Sequence, residues 1–277
     1  MSHQPVLNLA GTYRRQVNAT LAQVWENVFD WEHLAHLHGT RFAECELIEA
    51  GPWGWRVALT SVGAPAAQVI ELRADREKNR YVAATIAGTG VGTEIRTLLF
   101  PRSDNQVDIA VEFHIPESRP ERLQAVGDGY AAIYAQLWDE DEAMMIIRAR
   151  TLAQRSKADY TAARLDIGEE HTVRARLPIF FELGGAPFRL VDLDGRLAAH
   201  STICPHWQGP LDTAPVIGGA IRCPWHGYRF GVASGTCFEH PALKLAPAPD
   251  IRIAGGRIYA GWSRTAKVGE QVNPAFD

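Results

Sequence analysis

Two stretches of sequence decide the fold of the last third of the chain: residues 204–211, CPHWQGPL, and residues 223–230, CPWHGYRF. The first contains a C-x-H pair and the second a C-x-x-H pair, with residues 207–222 between them. In each stretch a proline stiffens the loop, while Gly209 and Gly227 permit the tight backbone of a turn. Thiolate and imidazole groups are ligands of transition metals, so the two loops predict a metal site.

The motif resembles the cluster-binding loops of Rieske [2Fe–2S] proteins, and the resemblance extends over about residues 173–262. In that family two histidines and two cysteines hold the two irons of the cluster. The resemblance implies four cluster ligands: Cys204, His206, Cys223 and His226. Zinc is the alternative, but a Cys₂His₂ zinc site has a different spacing and normally includes a helix.

The composition is that of an ordinary globular protein of 277 residues with a formal net charge of −4. No basic run is present, so we expect no binding to nucleic acid or to an anionic membrane surface. Four cysteines are too few for a disulfide scaffold, and no apolar stretch approaches the length of a membrane span. The N-terminal residues lack the pattern of a signal peptide, which predicts a cytoplasmic protein.

The first half of the chain predicts a mixed α and β domain. Thr20 is a plausible N-cap for a helix over residues 21–29, and a short helix is predicted over 31–38. Six alternating segments between residues 42 and 115 predict strands, and residues 107–113 alternate strictly between apolar and other side chains. A long helix follows over about residues 120–155, with a break expected near two early glycines, Gly127 and Gly129.

This order of elements resembles the helix-grip domain of the START and polyketide-cyclase superfamily, in which a curved sheet wraps the last helix around an apolar cavity. We therefore predict an α+β helix-grip (START/SRPBCC-like) domain followed by an all-β Rieske domain. The predicted boundaries are residues 1–160 for the first domain, 161–170 for a linker, 171–263 for the Rieske domain and 264–277 for a tail.

A histidine cluster lies in the first domain, within the segment Asp30-Trp-Glu-His33-Leu-Ala-His36-Leu-His38. The D-x-x-H-x-x-x-x-H pattern resembles the mononuclear iron motif of Rieske non-haem oxygenases, in which two histidines and a distant carboxylate form a facial triad. The resemblance implies that His33, His38 and Asp141 on the last helix bind Fe(II). It also implies that Asp30 connects a ligand histidine to a Rieske histidine and so provides a path for electrons.

Two alternatives remain open within this set of residues. His33 and His38 are five residues apart, about 140° around a regular helix, so one regular helix cannot direct both side chains to one ion. His36 is therefore an alternative to His38, since it shares a helix face with His33. Asp139 is an alternative to Asp141 on the last helix.

The oxygenase resemblance implies oxidation of a small apolar or aromatic substrate with O₂, with electrons supplied by a NAD(P)H-dependent reductase. It also implies assembly as a homotrimer. Trp53, Trp55 and Phe113 either line the substrate cavity or belong to the core. One alternative is a Rieske ferredoxin-type electron-transfer module fused to a hydrophobic-ligand-binding or cyclase-like domain without a second iron. Another is a metal-free cyclase, in which the histidine cluster serves as acid–base groups.

Overall fold

A computed structural model describes residues 6–155 and 159–262 of the protein, residue 155 by its backbone alone. The chain divides into two compact units. The first comprises the described residues up to Ala149 together with the short segment Pro224–Gly227, and the second comprises the remainder. The predicted tail over 264–277 lies outside the described residues. No helix among the described residues combines the length and the apolar character that crossing a bilayer requires.

The first unit contains a seven-stranded antiparallel sheet with strand order β1-β7-β6-β5-β4-β3-β2. Its elements are, in chain order, β1 (Asn8–Val17), α1 (Leu21–Phe29), β2 (Phe42–Gly51), β3 (Gly54–Ser61), β4 (Gln68–Asp75), a short 3₁₀ helix (Arg76–Lys78), β5 (Arg80–Ala87), β6 (Glu94–Ser103), β7 (Gln106–Ile115) and α2 (Pro120–Arg155). All six strands predicted between residues 42 and 115 are present. A run of antiparallel strands followed by one long helix is the α+β arrangement that the sequence predicts for this unit.

Alternation along β7 shows how the sequence builds this sheet. Every second residue of the strand, from Val107 to Ile115, is buried, and the residues between them are half-buried. The first four of these buried side chains, from Val107 to Phe113, pack in one core with Trp138 and Met145 of α2, so the long helix covers the inner face of the sheet. The N-cap of helix α1 is Thr20, as predicted, and this residue forms a reciprocal capping box with Gln23.

Two local predictions in the first unit are wrong. Residues 31–38 do not form a regular helix but a series of turns, because hydrogen bonds spanning three residues alternate with bonds spanning four. Helix α2 is continuous through Gly127 and Gly129. Gly127 is needed for close approach instead, since a Cβ atom there would lie 2.1 Å from the carbonyl oxygen of Ala10 on β1.

The second unit is built mainly from three small antiparallel sheets, with strand orders β11-β10-β9, β12-β13-β14 and β15-β16-β8. Its elements are β8 (Leu165–Glu169), α3 (Glu170–Ala175), β9 (Ile179–Leu183), β10 (Ala186–Leu193), β11 (Arg196–Ser201), β12 (Val216–Ile217), β13 (Ala220–Arg222), β14 (Arg229–Gly231), β15 (Asp250–Ala254) and β16 (Arg257–Gly261).

The segment 161–170 is only partly the linker that we predicted. Half of it is strand β8, which pairs with β16 across a bulge, so the folded part of this unit begins before residue 171. The polar residues Asp166 and Glu169 and the glycine between them hide the strand pattern in the sequence. Asp166 also accepts a hydrogen bond from Arg257 at 2.8 Å, which ties the strand to its neighbour.

Candidate metal centre

The two loops of the sequence motif fold alike. The backbone N–H of Cys204 donates to the carbonyl of Gly209 at 2.8 Å, and that of Cys223 donates to the carbonyl of Tyr228 at 2.8 Å. Each loop is therefore closed by a bond over the same number of residues. In the second loop Gly227 has the expected positive φ of 73°, but in the first loop the positive φ falls on Gln208 rather than on Gly209.

Both motif cysteines are buried, with 0% of Cys204 and 1% of Cys223 exposed. The neighbouring Cys223 thiol, followed by burial, raises the pKa of the Cys204 thiol well above its usual value. Two adjacent buried thiols lose their protons only when a cation compensates the charge, and a metal centre supplies that compensation. The chemistry of this thiol pair therefore fits a thiolate-bound cluster.

The other two members of the predicted ligand set are histidines. His206 packs against the ring of Tyr228, with ring centroids 4.7 Å apart. His226 is 4% exposed, and its Nε2 lies 2.7 Å from Oδ2 of Asp30. A ring that points Nε2 at a carboxylate has Nδ1 as its ligating nitrogen. The remaining cysteines have other surroundings: Cys237 contacts Glu239, and burial raises the pKa of Cys45 to about 12.

A second group of metal-ligating side chains lies in the first unit. His33, His38 and Asp141 are all buried, and they offer ligand atoms that lie within 4.8 Å of one another. Nε2 of His33 is 3.4 Å from Oδ1 of Asp141, and Nε2 of His38 is 3.2 Å from the same oxygen. The irregular turns over residues 31–41 bring the two histidine rings to a centroid distance of 5.0 Å.

Two carboxylates flank the ring of His33. Its Nδ1 lies 3.3 Å from Oδ2 of Asp30, while its Nε2 faces Asp141. Burial lowers the pKa of His33, but Asp30 and Asp141 outweigh it and hold this pKa above the usual value. Burial raises the pKa of Asp141 in turn, but its contact with His38 and the two histidine charges bring it below the usual value. The group thus favours a positive charge between the imidazoles and the carboxylate, carried by a proton or by a metal ion.

Asp30 is shared by two histidines. Its Oδ2 faces Nε2 of His226 and Nδ1 of His33, at 2.7 Å and 3.3 Å. Burial alone would raise the pKa of Asp30, but His226 and His33 hold it below its usual range. One carboxylate oxygen therefore connects a histidine of the Rieske motif to a histidine of the second group.

The two alternative residues lie elsewhere. Asp139 forms an ion pair with Arg15, and 70% of its side chain is exposed. The ring of His36 lies directly beside Gly227, where an added Cβ would be 2.4 Å from the ring. Of the two candidate histidines, His38 is the one whose ring lies near His33, and of the two candidate aspartates, Asp141 is the one that faces it.

The three predicted cavity aromatics separate into two kinds. Trp55 donates from Nε1 to the carbonyl of Val28 at 2.9 Å and belongs to the core, as does the fully buried Phe113. Trp53 lies against the guanidinium groups of Arg56 and Arg73, at 5.9 and 5.1 Å from the ring centroid. These contacts give Trp55 and Phe113 packing roles and Trp53 a cation–π role.

Sequence analysis missed two residues that support the triad. Asn27 donates from Nδ2 to Oδ1 of Asp141 at 3.1 Å, and Nδ1 of His38 lies 2.6 Å from Oε2 of Glu140. Glu140 belongs to the acidic run Asp139–Glu142, in which the sequence does not distinguish one carboxylate from another. The sign of Asn27 is that it is a polar residue buried on α1 together with the apolar Val24 and Val28.

Comparison with known proteins identifies the second unit. Residues 163–250 match the family model of the Rieske [2Fe-2S] domain. The chain therefore contains a Rieske domain, which serves electron transfer and implies a [2Fe–2S] cluster.

Individual proteins match over limited segments. Human "Apoptosis-inducing factor 3" is 32% identical over 85 residues, which are 31% of this chain and 14% of that protein. "Dicamba O-demethylase, oxygenase component" from Stenotrophomonas maltophilia is 40% identical over 48 residues, which are 17% of this chain and 14% of that protein. The chain thus spans about a seventh of the length of these relatives. The "Zhui aromatase/cyclase" structure from Streptomyces sp. R1128 covers 52% of this chain and 96% of its own, with 13% identity and a TM-score of 0.42.

Proposed function

We propose that the protein is a Rieske-type non-haem iron oxygenase. The observation that carries this proposal is the convergence of two buried imidazoles and one buried carboxylate, His33, His38 and Asp141, beside a carboxylate that also contacts His226. Two histidines and one carboxylate with open positions are the ligand set of mononuclear Fe(II) oxygenases. The proposed first domain is residues 1–160, and the second, predicted over 171–263, is extended to include β8 (Leu165–Glu169).

The proposed ligand sets follow from the contacts described above. His33, His38 and Asp141 would hold Fe(II), and the [2Fe–2S] cluster would be held by Cys204, His206, Cys223 and His226. When bound, the two groups supply one-electron transfer and the activation of O₂ for oxidation of an apolar or aromatic substrate. A NAD(P)H-dependent reductase as electron source and a homotrimeric assembly are parts of the same proposal.

The protein's own contribution is to orient these side chains. On each ring the shorter carboxylate contact is made by Nδ1, at 3.3 Å to Asp30 for His33 and at 2.6 Å to Glu140 for His38. A carboxylate oxygen can only accept a hydrogen bond, so these contacts favour the ring hydrogen on Nδ1. Each Nε2 then offers its lone pair on the side of Asp141, at 3.4 and 3.2 Å from Oδ1. Three electron-rich atoms that face one another in a buried place repel unless a cation lies between them. The arrangement therefore suits a divalent ion.

Asp30 has a positioning role in this proposal. One oxygen lies 2.7 Å from Nε2 of His226 and 3.3 Å from Nδ1 of His33, so it would connect the two rings through polar contacts. An Asp30→Asn substitution keeps the size of the side chain but removes its charge. We expect both metal groups to be retained and electron transfer between them to be slowed.

The experiment that tests the proposal is a count of iron against acid-labile sulfide after anaerobic reconstitution with ferrous iron. A cluster alone gives a ratio of one, and an added mononuclear iron gives three to two. Asp141→Asn should return the ratio to one and leave the EPR signal of the reduced cluster unchanged. Asp139→Asn is the matched control and should keep three to two. A wild-type ratio of one would overturn the oxygenase proposal.

A second function is favoured by one observation. The charges of Asp30 and Asp141 raise the pKa of His33, so a proton on this ring also satisfies the two carboxylates without any metal. In that case the chain is a Rieske ferredoxin-type module fused to a hydrophobic-ligand-binding or cyclase-like domain. The iron-to-sulfide ratio then stays at one in the wild type and in the Asp141→Asn variant alike.

A further inference from the structure

The two proposed histidine ligands have different carboxylate partners. His33 contacts Asp30, whose side chain is 6% exposed and which also contacts His226. His38 contacts Glu140, whose side chain is 27% exposed. The distance from Nδ1 of His38 to Oε2 of Glu140, 2.6 Å, is the shorter of the two contacts. The ring of His38 itself is 1% exposed, so Glu140 is the group that links it to the protein surface.

Glu140 is held in place by side chains on two segments. Its Oε1 accepts a hydrogen bond from Nε2 of Gln136, one turn earlier on α2, at 3.0 Å. Gln136 also donates to Oγ1 of Thr40 at 2.8 Å and accepts from Nε of Arg41 at 2.9 Å. Thr40 and Arg41 directly follow the turns that carry His38. The network therefore joins the helix that bears Asp141 to the segment that bears the two histidines.

This network orients one of the three side chains of the triad. His33 and His38 lie in irregular turns, where no regular helix fixes the direction of their side chains. A ring that is free to rotate about its χ angles loses entropy when it binds an ion. Glu140 removes that freedom for His38, because a carboxylate on Nδ1 sets both the orientation of the ring and the tautomer that offers Nε2.

We propose that Glu140 is a positioning residue for the metal centre, which presents Nε2 of His38 to the ion. The inference rests on the proposed function, since it assigns Glu140 to the same triad. Carboxylates that support a ligand histidine in this way typically change metal affinity by about 10–100-fold when they are removed. Glu140 lies next to Asp141 in the sequence but acts through His38.

The test is a calorimetric titration of the cluster-loaded protein, freed of mononuclear iron, with Co²⁺ as a probe that accepts the same nitrogen and oxygen ligands. Glu140→Gln keeps an acceptor oxygen but removes the charge, and we expect the Kd to rise about tenfold. Glu140→Ala removes both, and the Kd should rise by up to about 100-fold. Asp139→Asn, one residue away and with the same change of charge, is the matched control and should leave the Kd unchanged.

Two further measurements distinguish a positioning effect of Glu140 from a loss of folding in the variant. They also distinguish it from failure of the proposed function. The visible spectrum of bound Co²⁺ should change in Glu140→Ala, because His38 no longer holds its place, while the thermal unfolding of the metal-free variant stays close to that of the wild type. A Kd for Glu140→Ala equal to that of the wild type would overturn the inference about Glu140. If the wild-type protein binds no Co²⁺, or binds it only at a site that His33→Ala leaves intact, the proposed function itself would be overturned.

Discussion

The two sets of proposed ligands differ in how far apart along the chain their supporting contacts lie. Each cluster loop closes on itself through one backbone hydrogen bond, from Cys204 to Gly209 and from Cys223 to Tyr228. The triad instead joins turns near residue 35 to the middle of α2, and Glu140 and Asn27 support it from both sides. The loops depend on local geometry, whereas the triad depends on the packing of a long helix against a sheet.

The difference implies that the two sites respond to different changes. A substitution far from the loops should leave the cluster intact as long as the second unit folds. The triad should be sensitive to any change that moves α2 relative to the turns, even one that lies outside the site. Of the three predictions that follow, the first two test this contrast and the third concerns an ion pair of the large sheet; they run from the largest expected effect to the smallest.

Replacement of a proposed cluster ligand should have the largest effect. Cys223→Ala removes a buried thiol from the second loop, and we expect complete loss of the cluster, because none of the other described cysteines lies at that position. Acid-labile sulfide and the EPR spectrum of the reduced protein measure the loss. If the loops are local, the same variant should still bind Co²⁺ at the triad.

Cys237→Ala is the control for this variant. Cys237 is equally buried but contacts Glu239 rather than the paired thiols, so its replacement should retain the cluster. A cluster that survives Cys223→Ala, or that is lost in Cys237→Ala, would contradict the ligand assignment.

Two glycines on α2 provide the second prediction. At Gly127 an added Cβ would lie 2.1 Å from the carbonyl oxygen of Ala10, and a backbone atom of a paired strand cannot move away easily. We expect Gly127→Ala to lower the free energy of unfolding by about 1–3 kcal/mol and to weaken Co²⁺ binding, because α2 must shift away from β1. Urea denaturation and calorimetry measure the two effects.

Gly129→Ala is the matched control on the same helix. Nothing lies within 4 Å of its Cβ position, and alanine is the better helix former, so this variant should be more stable by about 0.5–1 kcal/mol. Sulfide content should be unchanged in both variants. Loss of the cluster in Gly127→Ala would contradict the prediction that the cluster loops depend on local geometry.

The smallest effect concerns pH. Glu71 on β4 lies between Arg56 and Arg73, and although burial alone would raise its pKa, the two guanidinium groups hold it below the usual value. Its contribution to stability is therefore complete above about pH 4.5, the value of the unfolded chain, and is lost as the pH falls through the lower pKa of the folded state. Glu71→Gln should make unfolding less dependent on pH in this acidic range.

The exposed Glu77 gives the charge-matched control, and Glu77→Gln should leave the pH dependence unchanged. Because the arginine partners of Glu71 are accessible to solvent, added salt should reduce the difference between wild type and Glu71→Gln. A difference that grows as the pH rises above neutrality would have the wrong sign for this ion pair.

Much of the fold was predictable because it follows from short-range patterns. Alternation predicted the strands of the large sheet, and Thr20 marked the start of α1. Strand β8 was not predictable, since Asp166, Gly168 and Glu169 interrupt the alternation and the strand forms only by pairing with β16. Tertiary pairing overrode the local signal there.

The candidate sites show the same division. The cysteine and histidine loops carry their ligands at a spacing that the sequence displays directly. The turns over residues 31–41 mix two hydrogen-bond spans, and no residue type encodes that mixture, so the helical prediction was wrong while the histidine pair was still found. Glu140 could not be selected from four consecutive acidic residues, because only its contact with His38 sets it apart.

The shared oxygen of Asp30 makes the two histidines thermodynamically linked. Oδ2 is the partner of His226 and of His33 at once, so a change in charge on one ring alters the electrostatic free energy of the other. Linkage of this kind is reciprocal: whatever factor one event imposes on the affinity at the second ring, the second event imposes on the first. Through this single buried carboxylate, a change in the charge of either ring would change the affinity of the other ring for a proton or a metal ion.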